Sequence, residues 1–148
     1  MHEGLATVHE GFVARTWVRE FRDSSGRMRS VPDYIFNQFC YPRVAQHLAN
    51  SNVRIAHPVG DETTIYGFIV YTDESLHIIY TRKDWRKRGI ARLLLSGIDT
   101  RSRRWTTETR DGRAWACEKW PNRGHQPFWM VEVARGSAGS SEKGIPGT

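Results

Sequence analysis

The sequence predicts one domain of mixed α and β structure, an α/β (α+β) fold, on three observations. Two stretches with helical periodicity lead the chain, and short β-branched and aromatic runs then follow with turn residues between them. The last strong run passes through a basic, glycine-containing turn directly into an apolar helix. At 148 residues with 39% hydrophobic content, the chain is long enough to bury a sizeable core.

The elements follow in order. Residues 1–11 carry little pattern and read as a frayed lead-in or a short strand. Between 12 and 21, Val13, Ala14, Trp17, Val18 and Phe21 recur at the spacing of an amphipathic helix. Asp23, Ser24, Ser25 and Gly26 end it with turn chemistry. A second helical stretch covers 32–48, with Pro32 suited to a first turn and Pro42 expected to split the stretch in two. Strands take over at 53–57 and, more strongly, at 65–72. Asp73, Glu74 and Ser75 turn the latter into a hairpin with a strand at 76–81. A helix over 90–100 should bury Leu93, Leu94 and Ile98, with Arg101–Arg104 suited to its C-terminal end. A strand at 105–109, a short helix at 113–120 and a last strand at 128–133 complete the domain, 1–135. The Gly/Ser-rich segment 136–148 reads as a disordered tail.

Composition excludes some classes of function. No stretch approaches the roughly 20 apolar residues that span a bilayer, so no membrane partner is expected. The N-terminus lacks the basic-then-apolar layout of a signal peptide, and Cys40 and Cys117 are too few for a disulfide framework. A reducing cytoplasmic location follows. The six histidines show no metal-ligand spacing, and no metal is expected. The net charge of +6 is spread along the chain, apart from clusters at Arg82–Arg92 and Arg101–Arg104.

Chemistry concentrates at 76–95. A strand, a glycine-containing loop and a helix start in that order form an anion site, because loop N–H groups and the helix dipole share one focus. Gly89 lets the backbone approach a phosphate where a Cβ would intervene. Arg86, Lys87, Arg88 and Arg92 add charge there. Cations at a helix start oppose its dipole, which makes sense if an anion arrives from outside.

Arg86-Lys87-Arg88-Gly89-Ile90-Ala91 resembles the Arg/Gln-x-x-Gly-x-Gly/Ala signature of the GCN5-related N-acetyltransferases, and the preceding hairpin follows the same order. The likeness covers residues 53–100, with small phage-type members as the nearest in character. Lys83 stands where many members have proline, and Ala91 replaces the commoner second glycine. The resemblance implies a GNAT-like mixed, mostly antiparallel splayed sheet flanked by helices, with acetyl-CoA as cofactor. Its acetyl-pantetheine arm would lie in the splay like an extra strand. Arg86 to Ala91 would hold the pyrophosphate, Lys87 or Arg92 would reach the adenosine-side phosphate, and backbone at Ile79, Tyr80 and Thr81 would face the acetyl group. A free N–H on that strand would hold the developing oxyanion.

The acceptor's base and the leaving group's acid are less legible. His77 and Tyr80 lie nearest the expected acetyl site, and strand alternation sends them to opposite faces. His77 has a useful unperturbed pKa near 6.5, while a strand histidine satisfied by a neighbour fits equally well. Glu74 and Glu108 are explained by loop position alone. The family often takes its acid from a tyrosine after the fifth strand, and no tyrosine follows Tyr80. The sequence thus points to an N-acetyltransferase acting on an amine-bearing acceptor, with a homodimer compatible because dimers are common in the family. Two alternatives stand beside it. Trp105, Trp115, Trp120, Phe128 and Trp129 interleave with Arg103, Arg104, Arg110, Arg113 and Arg123, which suits base stacking and phosphate neutralisation as well as it suits a core with solvated arginines. An acetyltransferase-like phage enzyme modifying adenine in DNA, or a non-catalytic basic nucleic-acid-binding module, would use that surface.

Overall fold

A computed structural model describes residues 2–3, 7–24, 28–100 and 102–107 of the chain. The expected helix at 113–120, the strand at 128–133, the tail, Glu108 and the arginines and aromatics beyond it lie outside the described residues. Among those described, the elements run β1 (His2–Glu3), α1 (Thr7–Ser24), α2 (Asp33–Ala49), β2 (Asn52–Ala56), β3 (Gly67–Tyr71), β4 (Ser75–Thr81), α3 (Ile90–Leu94) and β5 (Arg104–Trp105). Two single 3-10 turns, Met28–Ser30 and Lys83–Trp85, fill connections. The fold is α+β, with an open, mixed and mostly antiparallel sheet.

Strand order equals chain order, β1-β2-β3-β4-β5. The first three pairings are antiparallel, and β5 joins β4 in parallel after the α3 crossover. Both faces of the sheet are covered, which is why β3 and β4 read as nearly continuous apolar runs. On one face, Val53, Ile55, Phe68, Val70 and Ile78 meet Val13, Trp17, Val18 and Phe21 of α1 and Phe36, Cys40, Val44 and Leu48 of α2. On the other, Ala56, Ile69, Leu76 and Ile79 meet Leu94 of α3 and Trp105 of β5. Burying side chains of this size contributes about 1.5–3 kcal/mol each before entropy is counted.

The helix at 12–21 is present and starts earlier, at Thr7. Pro42 does not split the second helix, which is continuous from Asp33 to Ala49. An interior proline costs about 3 kcal/mol and one hydrogen bond. Here its ring is exposed, while Phe36, Cys40, Val44, His47 and Leu48 form one buried face through both halves. Tertiary packing outweighs the break. Arg22 fastens the α1–α2 corner, donating to Val31 O at 2.7 Å, pairing with Asp33 and lying over the Phe36 ring.

The helix expected over 90–100 is only five residues long, and Leu93 is 45% exposed rather than buried. Its end is set by backbone and by a cap. The chain leaves the α pattern through turn bonds from Ser96 N–H to Leu93 O and from Ile98 N–H to Leu95 O, and Gly97 adopts φ 75°. Arg54 of β2 donates to Leu94 O at 3.1 Å and Ser96 O at 2.6 Å, closing the exposed carbonyls. Among the described residues, no helix is long and apolar enough to cross a membrane.

Candidate functional site

β4 is irregular where the sequence suggested plain alternation. Val70 pairs with Ile78 but Tyr71 pairs with Leu76, so His77 is an extra residue in the strand. Such a bulge bends the strand and changes which face the following side chains take. His77 and Ile78 consequently both point at the helices, Ile79 points at α3, and Tyr80 returns to the helix side. The expectation that His77 and Tyr80 occupy opposite faces is therefore overturned. They share one.

His77 is 1% exposed. Its ring lies 5.4 Å from that of Trp17 and 4.6 Å from that of His47, centroid to centroid. Thr106 Oγ1 donates to His77 O at 3.2 Å and stands 2.7 Å from Nδ1, an arrangement satisfied when Nδ1 carries the proton. Trp17 Nε1 donates to Thr107 Oγ1 at 2.8 Å beside it. Desolvation by burial, with His47 nearby as a second imidazole, pushes the His77 pKa down from 6.5 to about 3. His77 is a neutral group of the core at physiological pH. Tyr80 is partly exposed and packs on Phe12 and Phe68, at 6.3 and 5.4 Å between ring centroids.

The edge of β4 changes partner along its length. Described pairing with β5 covers Ser75 and Leu76, and Thr106 N–H donates to Leu76 O at 3.1 Å. Beyond this point β4 runs on to Thr81, with no described strand beside Ile78–Thr81 on that edge.

The basic loop follows at once. Arg86 turns back, its Nε donating to Thr81 O at 2.9 Å, so its role in the structure is to close the loop. Lys87 has φ 64° and Gly89 φ 83°, two left-handed residues on either side of Arg88. Backbone of this kind turns successive N–H groups into an anion-binding concavity. A Cβ built on Gly89 meets nothing within 4 Å, so the loop faces open space. Lys87, Arg88 and Arg92 are exposed, and none of them forms an ion pair with a described carboxylate. Because α3 has only five residues, its dipole adds little, and the side chains supply most of the charge. Ile90 and Ala91 are half-buried against the α3-side core, where they anchor the loop's far end.

Three residues of this region escape sequence reading. Tyr66 and Trp85 stack at 3.8 Å beneath the loop, and Arg88 lies over Trp85 at 4.8 Å. Gly67 lies against the loop's base, where an added Cβ would come 2.5 Å from Tyr80 O and 3.2 Å from Ile90 Cγ2. Each looks like an ordinary strand or loop residue in sequence. The nearest signal is the Tyr-Gly pair opening a strand.

Cys40 is buried, and desolvation raises its thiol to about 11, which leaves it a poor nucleophile. Among the described residues, no group of three or more His, Cys, Asp or Glu side chains is placed to hold a metal ion. Comparison of the chain with protein-family models, curated proteins and solved structures finds no match.

Proposed function

We propose that this protein is an acetyl-CoA-dependent N-acetyltransferase acting on an amine. The observation that carries the reading is the junction of two features. Strand β4 runs to Thr81 and leads directly into a basic loop with left-handed Lys87 and Gly89. The first suits a pantetheine arm and the second a pyrophosphate, in the order the GCN5-related resemblance implies. The residues fit the cofactor. Lys87, Arg88, Gly89, Ile90, Ala91 and Arg92 would hold its phosphates, while Arg86 shapes the loop.

Bound acetyl-CoA supplies an activated acyl thioester, and the chain's share is orientation and charge stabilisation. Backbone N–H groups on the β4 edge from Ile79 to Thr81 would hold the negative charge that develops on the carbonyl oxygen. His77 is unsuited to taking a proton from an ammonium acceptor, being buried and held neutral far below neutral pH. The acceptor would lose its proton to water. Tyr80, partly exposed on the helix side of β4, is the described tyrosine of that strand for returning a proton to the leaving sulfur. The residues that favour DNA as acceptor or partner, Arg110, Arg113 and the neighbouring tryptophans, lie outside the described residues. The described ones favour the cofactor.

A thermal-shift titration with acetyl-CoA, using adenosine diphosphate as control, tests the reading. At a ligand concentration about 100 times its Kd, stability should rise by about 2.7 kcal/mol, which is several degrees for a domain of this size. Gly89→Glu should abolish the rise by placing a carboxylate where the pyrophosphate would lie. No shift with millimolar acetyl-CoA would reject the assignment.

A further inference from the structure

We infer that Trp85 is a positioning residue for the cofactor loop, acting through Arg88; this rests on the cofactor reading above. The inference starts from a difficulty in the loop itself. Arg88 stands between two left-handed residues, Lys87 at φ 64° and Gly89 at φ 83°. Lys87 has a Cβ, so its conformation is disfavoured unless the surroundings hold it. Neither the five-residue α3 nor the single 3-10 turn before the loop is long enough to impose that geometry.

A side-chain column supplies the constraint. Tyr66 immediately precedes β3 and is tied to the chain on both sides, its N–H donating to Ala56 O and its carbonyl accepting from Arg82 N–H, both at 2.8 Å. The Trp85 ring stacks on Tyr66 at 3.8 Å with 24° between the planes. The Arg88 guanidinium lies over Trp85 at 4.8 Å, within range of a cation–π attraction. Sheet, tyrosine, tryptophan and arginine thus form one continuous support, ending on the residue between the two left-handed positions. Trp85 is half-buried and belongs to neither core cluster, so removing its ring withdraws this support without opening the core.

Two measurements on the full-length chain separate this inference from the reading beneath it. The loop carries its own reporters, because trypsin cleaves after Arg86, Lys87 and Arg88. In Trp85→Ala, cleavage mapped to those three bonds by mass spectrometry should be at least fivefold faster than in the wild type, with an unchanged melting temperature. Trp85→Phe, which retains a ring to stack, should restore most of the protection. Trp85→Leu keeps bulk without the π face and serves if the alanine variant does not fold. Acetyl-CoA should then bind Trp85→Ala at least tenfold more weakly by calorimetry, with Trp85→Phe near wild type. Unchanged cleavage in both Trp85→Ala and Trp85→Leu would overturn the support. Faster cleavage with unchanged acetyl-CoA affinity would overturn its link to the cofactor. Wild-type protein that ignores acetyl-CoA would reject the functional reading itself, and is seen without any variant.

Discussion

His77 shows how one inserted residue changes a local assignment. By alternation it should face away from Tyr80, and by residue type it should be a candidate base. The bulge in β4 turns it into the helix-side core, against Trp17, His47 and Thr106. A bulge leaves no mark in the Leu-His-Ile-Ile-Tyr run, since both faces of the sheet are buried and every side chain there is compatible with either. The placement has a pH consequence. The folded-state pKa, about 3, lies below the unfolded value near 6.5, so the unfolded chain binds the proton more readily. The corresponding stability is present above about pH 6.5 and is lost as pH falls toward 3. Each pH unit inside that window removes about 1.4 kcal/mol. Urea unfolding between pH 7 and pH 5 should therefore show wild type losing about 2 kcal/mol more than His77→Gln. Parallel pH profiles for the two proteins would mean that His77 does not resist protonation.

Gly67 decides how closely the elements around the candidate site approach one another. It opens β3, opposite Thr81, and the methyl of an alanine would lie 2.5 Å from the Tyr80 carbonyl and 3.2 Å from Ile90 Cγ2. The first neighbour is backbone and cannot swing aside. Gly67→Ala should push β3 from β4 and lift the start of α3, costing about 1–3 kcal/mol in line with other overpacked sites. Chemical denaturation measures that cost, and a midpoint equal to wild type would show that the strands separate freely here. At this scale much was legible. The α1 face, the β3–β4 hairpin and the loop-to-helix junction all follow from periodicity and turn chemistry. Three features were not. The continuity of α2 through Pro42 depends on a buried face that local propensity does not weigh. The early end of α3 depends on Arg54, which comes from a strand 40 residues away. The Tyr66–Trp85 stack joins two residues far apart in the chain, and no pattern around either announces it.

Across the whole molecule, the two faces of the sheet are unequally anchored. The α1–α2 face joins two long helices to three strands through one extensive cluster. The opposite face holds α3 mainly through Leu94, the buried residue of that helix, together with half-buried Ile90, Ala91, Leu95 and Ile98. Local opening follows such differences, because a segment with few buried contacts separates at less free energy than the core. The loop proposed to bind the cofactor therefore lies on the less anchored face of the sheet, next to the strand proposed to hold the acyl arm. Hydrogen exchange should show the consequence. Amides of residues 86–98 should exchange well before those of α2 and β3 in the free protein. Saturating acetyl-CoA should slow exchange at 86–92 and at 78–81 together, since one extended ligand would touch both segments. Protection confined to the loop would indicate a phosphate site without an acyl channel beside it. That outcome would leave the basic loop intact as an anion site and remove the transferase from the reading.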